Sequence, residues 1–382
     1  MKSRHLFSIG ISLTLAIALS PQVLSETIKS EQNQLSYQQP DTVEQNNLSA
    51  RDLYKLGNEF LAQTKYQQAL NYYDRAISLE PDYYHAWWGK GDVWQKMGQY
   101  TKALTAYDRA IAINDSDRQL WFAKAYTLED LQQYTEAVNA YDRAIALKAD
   151  YANAWYNRGL SLKKLRNYQD ALTSYDRAIA IDNRDADFWS SRGNVLAILE
   201  KYSDAVISYQ EAIKHNSQNA DTWHSLGIVQ QGLNQYVEAI QSYDRALEIA
   251  PDDGHVWENK GIALYHLQEY EQAIVAFDRA IARGSNHVEL WLYHGNAWGK
   301  SGDYENALSS YERAISIDPN NAYSWFNRGV ALTRLGRYEE SIAAYDRGLK
   351  LDPNNDQAKR LRQNSWELKK RQYRRIIISL AN

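Results

Sequence analysis

The chain has 382 residues, 44% of them hydrophobic, with a net charge of −4 and no cysteine. Without cysteine there is no disulfide framework, no thiolate metal site and no thiol-linked lipidation. A mildly acidic balance also gives no general attraction to nucleic acid.

Lys2, Arg4 and His5 form a basic start to an apolar run from Leu6 to Leu19, and Val23-Leu24-Ser25 offers residues compatible with cleavage before Glu26. The expected reading of residues 1–25 is an export signal, since the run is shorter than the about 20 residues of a membrane span. The alternative is a membrane tether formed by the same segment left uncleaved. Residues 26–49 are rich in Gln, Asn and Ser, carry no apolar period, and read as a flexible polar linker.

From residue 50 the pentapeptide Tyr73-Asp74-Arg75-Ala76-Ile77 recurs every 34 residues, its aromatic returning as Tyr107, Tyr141, Tyr175, Tyr209, Tyr243, Phe277, Tyr311 and Tyr345. The register defines nine units: 50–83, 84–117, 118–151, 152–185, 186–219, 220–253, 254–287, 288–321 and 322–355. A tryptophan column (Trp87, Trp121, Trp155, Trp189, Trp223, Trp257, Trp291, Trp325) precedes by four residues a small-residue column, Gly91 in unit two and Ala125 in unit three. Trp87, Gly91 and Trp94 share one face of a helix; Ala103, Tyr107, Ala110 and Ile111 share a face of a second. Met97-Gly98-Gln99-Tyr100 supplies the turn between them, and Pro81, Pro251, Pro319 and Pro353 mark the turns between units. Each unit is thus expected to be an antiparallel helix pair. The tyrosine and tryptophan columns are expected to be core, because a residue needed in every unit serves the fold.

These columns closely resemble the tetratricopeptide repeat family over about four fifths of the chain. The resemblance implies an all-α, right-handed superhelical solenoid whose first helices line a concave groove. Unit five departs with Gln210-Glu211 in place of Asp-Arg, and unit seven with Phe277 and Arg283-Gly284; both are expected soft spots.

Residues 356–382 continue as a basic helix and tail, with Ala358, Leu361, Ser365 and Leu368 on one face, which reads as a terminal cap. The tail holds eight Lys or Arg against two acidic residues and the first 25 residues hold two more, so linker and array together are net −12. An acidic array repels phosphates, so no nucleic-acid partner is expected. The tail itself could touch an anionic membrane.

Specificity should lie in the columns that vary. On the first helices these include Tyr54, Asn58, Trp88, Asp92, Phe122, Tyr126, Tyr156, Asn157, Asn194, His224, Asn259, Tyr265, Tyr293, Asn296, Phe326 and Asn327. Asparagine amides can bond both groups of an extended peptide backbone, and aromatics supply apolar area with few rotors. In the family, grooves of this composition bind extended peptides. The variant that grips a chaperone tail uses basic residues where this chain has Asp92, Gly89, Gln119 and Ala123, so that variant is not expected. No phosphate loop or nucleophile elbow is present, and His224 and His255 beside Asp221 and Glu258 are the one metal candidate, judged weaker than scattered surface residues. The expected function is a non-catalytic, cofactor-free scaffold that holds a protein or peptide partner in its groove, in an exported bacterial protein. Alternatives are a membrane-associated assembly factor anchored by the tail, or a regulatory subunit docking a separate enzyme.

Overall fold

The computed structural model describes residues 48–381; the export signal expected at 1–25 and almost all of the linker expected at 26–49 lie outside them. All regular structure among the described residues is α-helix, in two compact bodies that meet in sequence at Asn114 and Asp115. The first body holds α1 (Ala50–Ala62), α2 (Tyr66–Leu79), α3 (Tyr84–Lys96) and α4 (Tyr100–Ile113). The second holds α5 (Arg118–Asp130), α6 (Tyr134–Leu147), α7 (Ala152–Lys164), α8 (Tyr168–Ile181), α9 (Ala186–Ile198), α10 (Tyr202–His215), α11 (Ala220–Gly232) and α12 (Tyr236–Ile249). It continues with α13 (Gly254–His266), α14 (Tyr270–Ala282), α15 (Val288–Ser301), α16 (Tyr304–Ile317), α17 (Ala322–Arg334), α18 (Tyr338–Leu351) and α19 (Asp356–Ala381). Odd-numbered helices are the first of each pair and even-numbered helices the second, with α19 as the terminal cap.

Capping explains the boundaries. Asp117, Asp185, Asn219, Asp253 and Asn321 each accept a backbone N–H in the first turn of the helix that follows. Within each pair the first helix ends on one left-handed residue, at Thr64, Gly98, Gln132, Arg166, Glu200, Asn234, Gln268, Gly302 and Gly336. The next amide closes the turn, as when Lys65 N donates to Phe60 O at 2.9 Å.

Three layers of contact hold a pair and join it to the next. The pentapeptide aromatic is fully buried and lies on the glycine of the partner helix: a Cβ added at Gly159 would sit 2.5 Å from the Tyr175 ring. Tryptophan departs from the expectation of a core column. All eight are only half-buried, and the indole N–H pins the preceding turn, as in Trp155 to Ala149 O and Trp189 to Asn183 O, both 2.9 Å. Arg143, Arg245 and Arg313 of the pentapeptides cover the outer tryptophan faces.

The pentapeptide acid reaches forward rather than to its neighbouring arginine. Asp74 meets Lys90, and in the second body Asp142 meets Arg158, Asp176 meets Arg192, Asp244 meets Lys260, Glu312 meets Arg328 and Asp346 meets Arg362. Each pair joins a second helix to the next first helix, sixteen residues on. Arg158 and Arg192 extend the tie by donating to Ser174 and Ser208 on the following second helix, at 2.7 Å. Half-exposed pairs of this kind are worth below about 1 kcal/mol each, so they set register more than stability. In unit five the corresponding residues are Gln210 and Leu226, and the tie is missing. In unit seven Asp278 meets His294 at 3.3 Å, and Arg283 bonds Pro251 O and Asp252 of the turn that precedes the unit.

In the second body neighbouring first helices touch and neighbouring second helices do not. The stack therefore closes on its first-helix side. The cap α19 buries Ala358 and Ser365, with the Ser365 hydroxyl bonded to those of Thr333 and Ser341.

Left-handed backbone costs an L-residue about 1 kcal/mol or more, and β-branched residues suit it least. Thr64→Gly, at φ 58°, is therefore expected to raise stability by about 0.5–1 kcal/mol. Urea unfolding checks this, and a lower midpoint would count against the stated cause.

Candidate functional site

The first-helix face carries the residues singled out from sequence, and what shapes it is the disposal of the buried tyrosine hydroxyls. Each ring points its hydroxyl toward the first helix of its own pair. Four are met in one column: Tyr73 donates to Asn58, Tyr107 to Asp92, Tyr209 to Asn194 and Tyr311 to Asn296, at 2.7 to 2.9 Å. Two more are met one turn further on: Tyr141 by Glu129 at 2.8 Å and Tyr243 by Gln231 at 3.2 Å. In unit seven both places hold residues that cannot easily accept, Ile262 and Tyr265, and the ring is Phe277. In unit four they are Leu160 and Lys163, and the Tyr175 hydroxyl is buried without a partner.

Asn58, Asn194 and Asn296 therefore have a structural duty on their Oδ1 atoms. The Asn157 amide donates to Asn153 O of its own helix at 2.9 Å. Further side chains link neighbouring first helices: Asn259 Nδ2 to His224 Nε2 at 2.8 Å, Tyr156 to Ser191 at 3.3 Å and Asn327 Nδ2 to Asn296 Oδ1 at 3.4 Å. Burial lowers the pKa of His224, which favours the neutral ring in this contact.

The aromatics divide. Phe122 packs on Tyr141 and Tyr151, Tyr156 on Tyr175 and Phe188, and Tyr265 edge-on to Tyr293. Trp88 is half-buried and Tyr126 is 47% exposed. Phe326 is a correction: its ring is buried against Tyr345 and Ala358, beside Gly348, because unit nine has a glycine where pentapeptides otherwise carry alanine. It presents almost no surface to a ligand. The histidine and acid candidates do not converge either, since His224 is held by Asn259 and Glu258 by His287 at 3.0 Å. No group of three metal-ligating side chains occurs among the described residues.

One opening on this face is a cavity of ≈ 380 Å³ at units eight and nine, edged by Tyr265 of unit seven. Tyr265, Asn296 and Asn327 line it, together with Lys300 and Arg334, which sequence reasoning passed over. Their signal was available: they occupy one column, 34 residues apart, and the residue before Lys300 is Gly299 where other units carry bulkier side chains. A Cβ at Gly299 would meet nothing closer than 3.8 Å, so this glycine leaves space instead of accommodating a ring. No carboxylate lines the cavity, and neither cation has an ion-pair partner among the described residues.

Two expectations follow. Tyr175→Phe should be neutral or stabilising by up to about 1 kcal/mol, while Tyr209→Phe, which strands Asn194, should cost about 1 kcal/mol; equal losses in urea unfolding would contradict the hydroxyl argument. In the first body, burial pushes the Asp92 carboxyl up to about 6, only partly offset by bonds from Tyr107 and Trp88. A raised carboxyl pKa favours the protonated folded form, so this contribution is most favourable below the ordinary aspartate value of 3.8 and is lost as pH rises to about 6. Asp92→Asn should raise stability at pH 7 by about 2 kcal/mol and flatten that dependence; an unchanged pH profile would contradict it.

Models of the tetratricopeptide repeat match residues 54–118, 152–185, 220–253 and 293–356, and a TPR repeat model matches 125–166 and 193–234. Together they cover about two thirds of the chain. No curated protein sequence matches. Among solved structures, the C-terminal part of a TPR repeat-containing protein from Cytophaga hutchinsonii aligns with TM-score 0.53 and 21% identity, over 63% of this chain and 98% of that one. YrrB, described as a TPR protein with an unusual peptide-binding site, aligns at 24% identity and TM-score 0.46, over 49% of this chain and 96% of its own. PilF of Pseudomonas aeruginosa aligns at 20% identity and TM-score 0.47, over 56% and 97%. With the family models covering most of the helix pairs and the packing following the same register, the chain belongs to the tetratricopeptide repeat family.

Proposed function

We propose that this protein is a non-catalytic scaffold that holds an extended segment of a protein partner along its first-helix face, and that it acts outside the cytoplasm of a bacterium after export through residues 1–25. The observation that carries the reading is the cavity at units eight and nine. Once Asn296 Oδ1 has accepted from Tyr311 and Asn327, the Asn296 amide hydrogens have no partner among the described residues. They are suited to a peptide carbonyl. The unpaired Lys300 and Arg334 favour a segment with an acidic residue at this point, because a charge-assisted bond is stronger than a neutral one. Tyr265 supplies apolar area beside them.

A photoreactive residue at Asn327, compared with one at Gln241 on a second helix, tests the reading. Crosslinks to one partner segment should come predominantly from Asn327, and a majority from Gln241 would overturn it. For the segment so identified, Lys300→Ala with Arg334→Ala should weaken binding by about tenfold or more, or ~1.4 kcal/mol.

A further inference from the structure

The helix α19 is twice the length of the helices before it, with 26 residues against 13 or 14, and only part of it is needed as a cap. Ala358, Arg362 and Ser365 fasten its first half to α17 and α18. The last ties are to Glu339, which receives Lys369 at 2.6 Å and the Tyr373 hydroxyl at 3.0 Å. Beyond them Ile376, Ile377 and Ile378 are 49%, 64% and 62% exposed. No other segment among the described residues exposes three consecutive large aliphatic side chains.

Along α19 itself the charges beside these isoleucines are all of one sign, while Glu339 and Glu340 of α18 share an opening with Tyr373 and Ile376. Residues 368–378 hold Lys369, Lys370, Arg371, Arg374 and Arg375 and no acid. Helical spacing places Tyr373, Ile376 and Ile377 on one face, and Arg371, Arg374 and Arg375 together on another. Those three arginines have no ion-pair partner among the described residues, although the array that precedes them is rich in carboxylates.

We propose that this distal segment, beyond the Tyr373 tie, binds an anionic lipid surface, with Ile376 and Ile377 entering the boundary between headgroups and acyl chains and Arg371, Arg374 and Arg375 pairing with lipid phosphates. A basic helix with an apolar face lies in such an interface because the lipid offers both environments within one helix diameter. Charge complementarity selects this occupant. Pairing with the same segment of a second copy would set arginine against arginine, and the acidic array of a second copy offers apolar side chains only singly. The inference is independent of what the first-helix face holds.

The absence of cysteine supplies a local probe: Ile377→Cys in the full chain carries a single environment-sensitive fluorophore. Its emission should shift to the blue on vesicles of phosphatidylglycerol and phosphatidylcholine, and should stay unshifted on phosphatidylcholine alone. The shift should be lost when Arg371, Arg374 and Arg375 are replaced by glutamine or when salt is raised. Those arginines lie beyond the caps, and circular dichroism should show unchanged helicity. Because the probe reports on its own position, attachment through the apolar run near the N-terminus would not produce the shift. No shift on anionic vesicles, an equal shift on neutral ones, or a shift that follows protein concentration without lipid would each overturn the proposal.

Discussion

Eight of the nine helix pairs depend on one contact, an aromatic ring seated on the backbone of its partner helix where a Cβ would otherwise be; in unit three Ala125 takes the glycine's place. Packing that close excludes water from the ring and brings the two helices to a fixed separation. It also creates an obligation, because a tyrosine ring carries a hydroxyl into the same dry space and a buried donor without a partner costs about 1–3 kcal/mol. The acceptors on the first helices are the answer to that obligation. Asn58, Asn194 and Asn296 give the uncharged solution, Asp92 and Glu129 a charged and more expensive one, and Phe277 removes the hydroxyl altogether.

This linkage changes the meaning of variation along the array. Asparagine on a varying column seemed to mark recognition, yet at three positions the side chain is half committed to its own tyrosine. What remains free for a ligand is the other half of the amide, so fold and recognition share a residue. The cavity at units eight and nine stands apart because it adds space, at Gly299, and uncompensated cations, at Lys300 and Arg334.

The helix pairs, their turns and the cap were legible because each follows from a column repeated many times, with period 3.6 inside and 34 outside. Three things were not. The forward tie from Asp142 to Arg158 joins residues sixteen apart, a spacing that no single-helix pattern exposes and that only a stacked pair brings together. Half-burial of the tryptophans could not be told from full burial, since a repeated large aromatic looks the same in either role; the indole bond to the preceding turn separates them. Phe326 looked like a surface aromatic because the glycine that lets it inward, Gly348, is on the other helix of its pair. Sequence spacing therefore located columns reliably but could not say which atoms of a column residue were already in use.

The joint between units five and six, where Gln210 faces Leu226 in place of an acid and a base, has a mechanical consequence. In a stack whose units contact only their neighbours, a load is carried equally by every joint and displacement gathers at the most compliant one. An opening of ≈ 630 Å³ lined by Gln210, Trp223 and Leu226 already lies there. Without that ion pair, the register of units five and six rests on apolar packing, such as that of Trp223 and Leu226 with Tyr209 and Ile213.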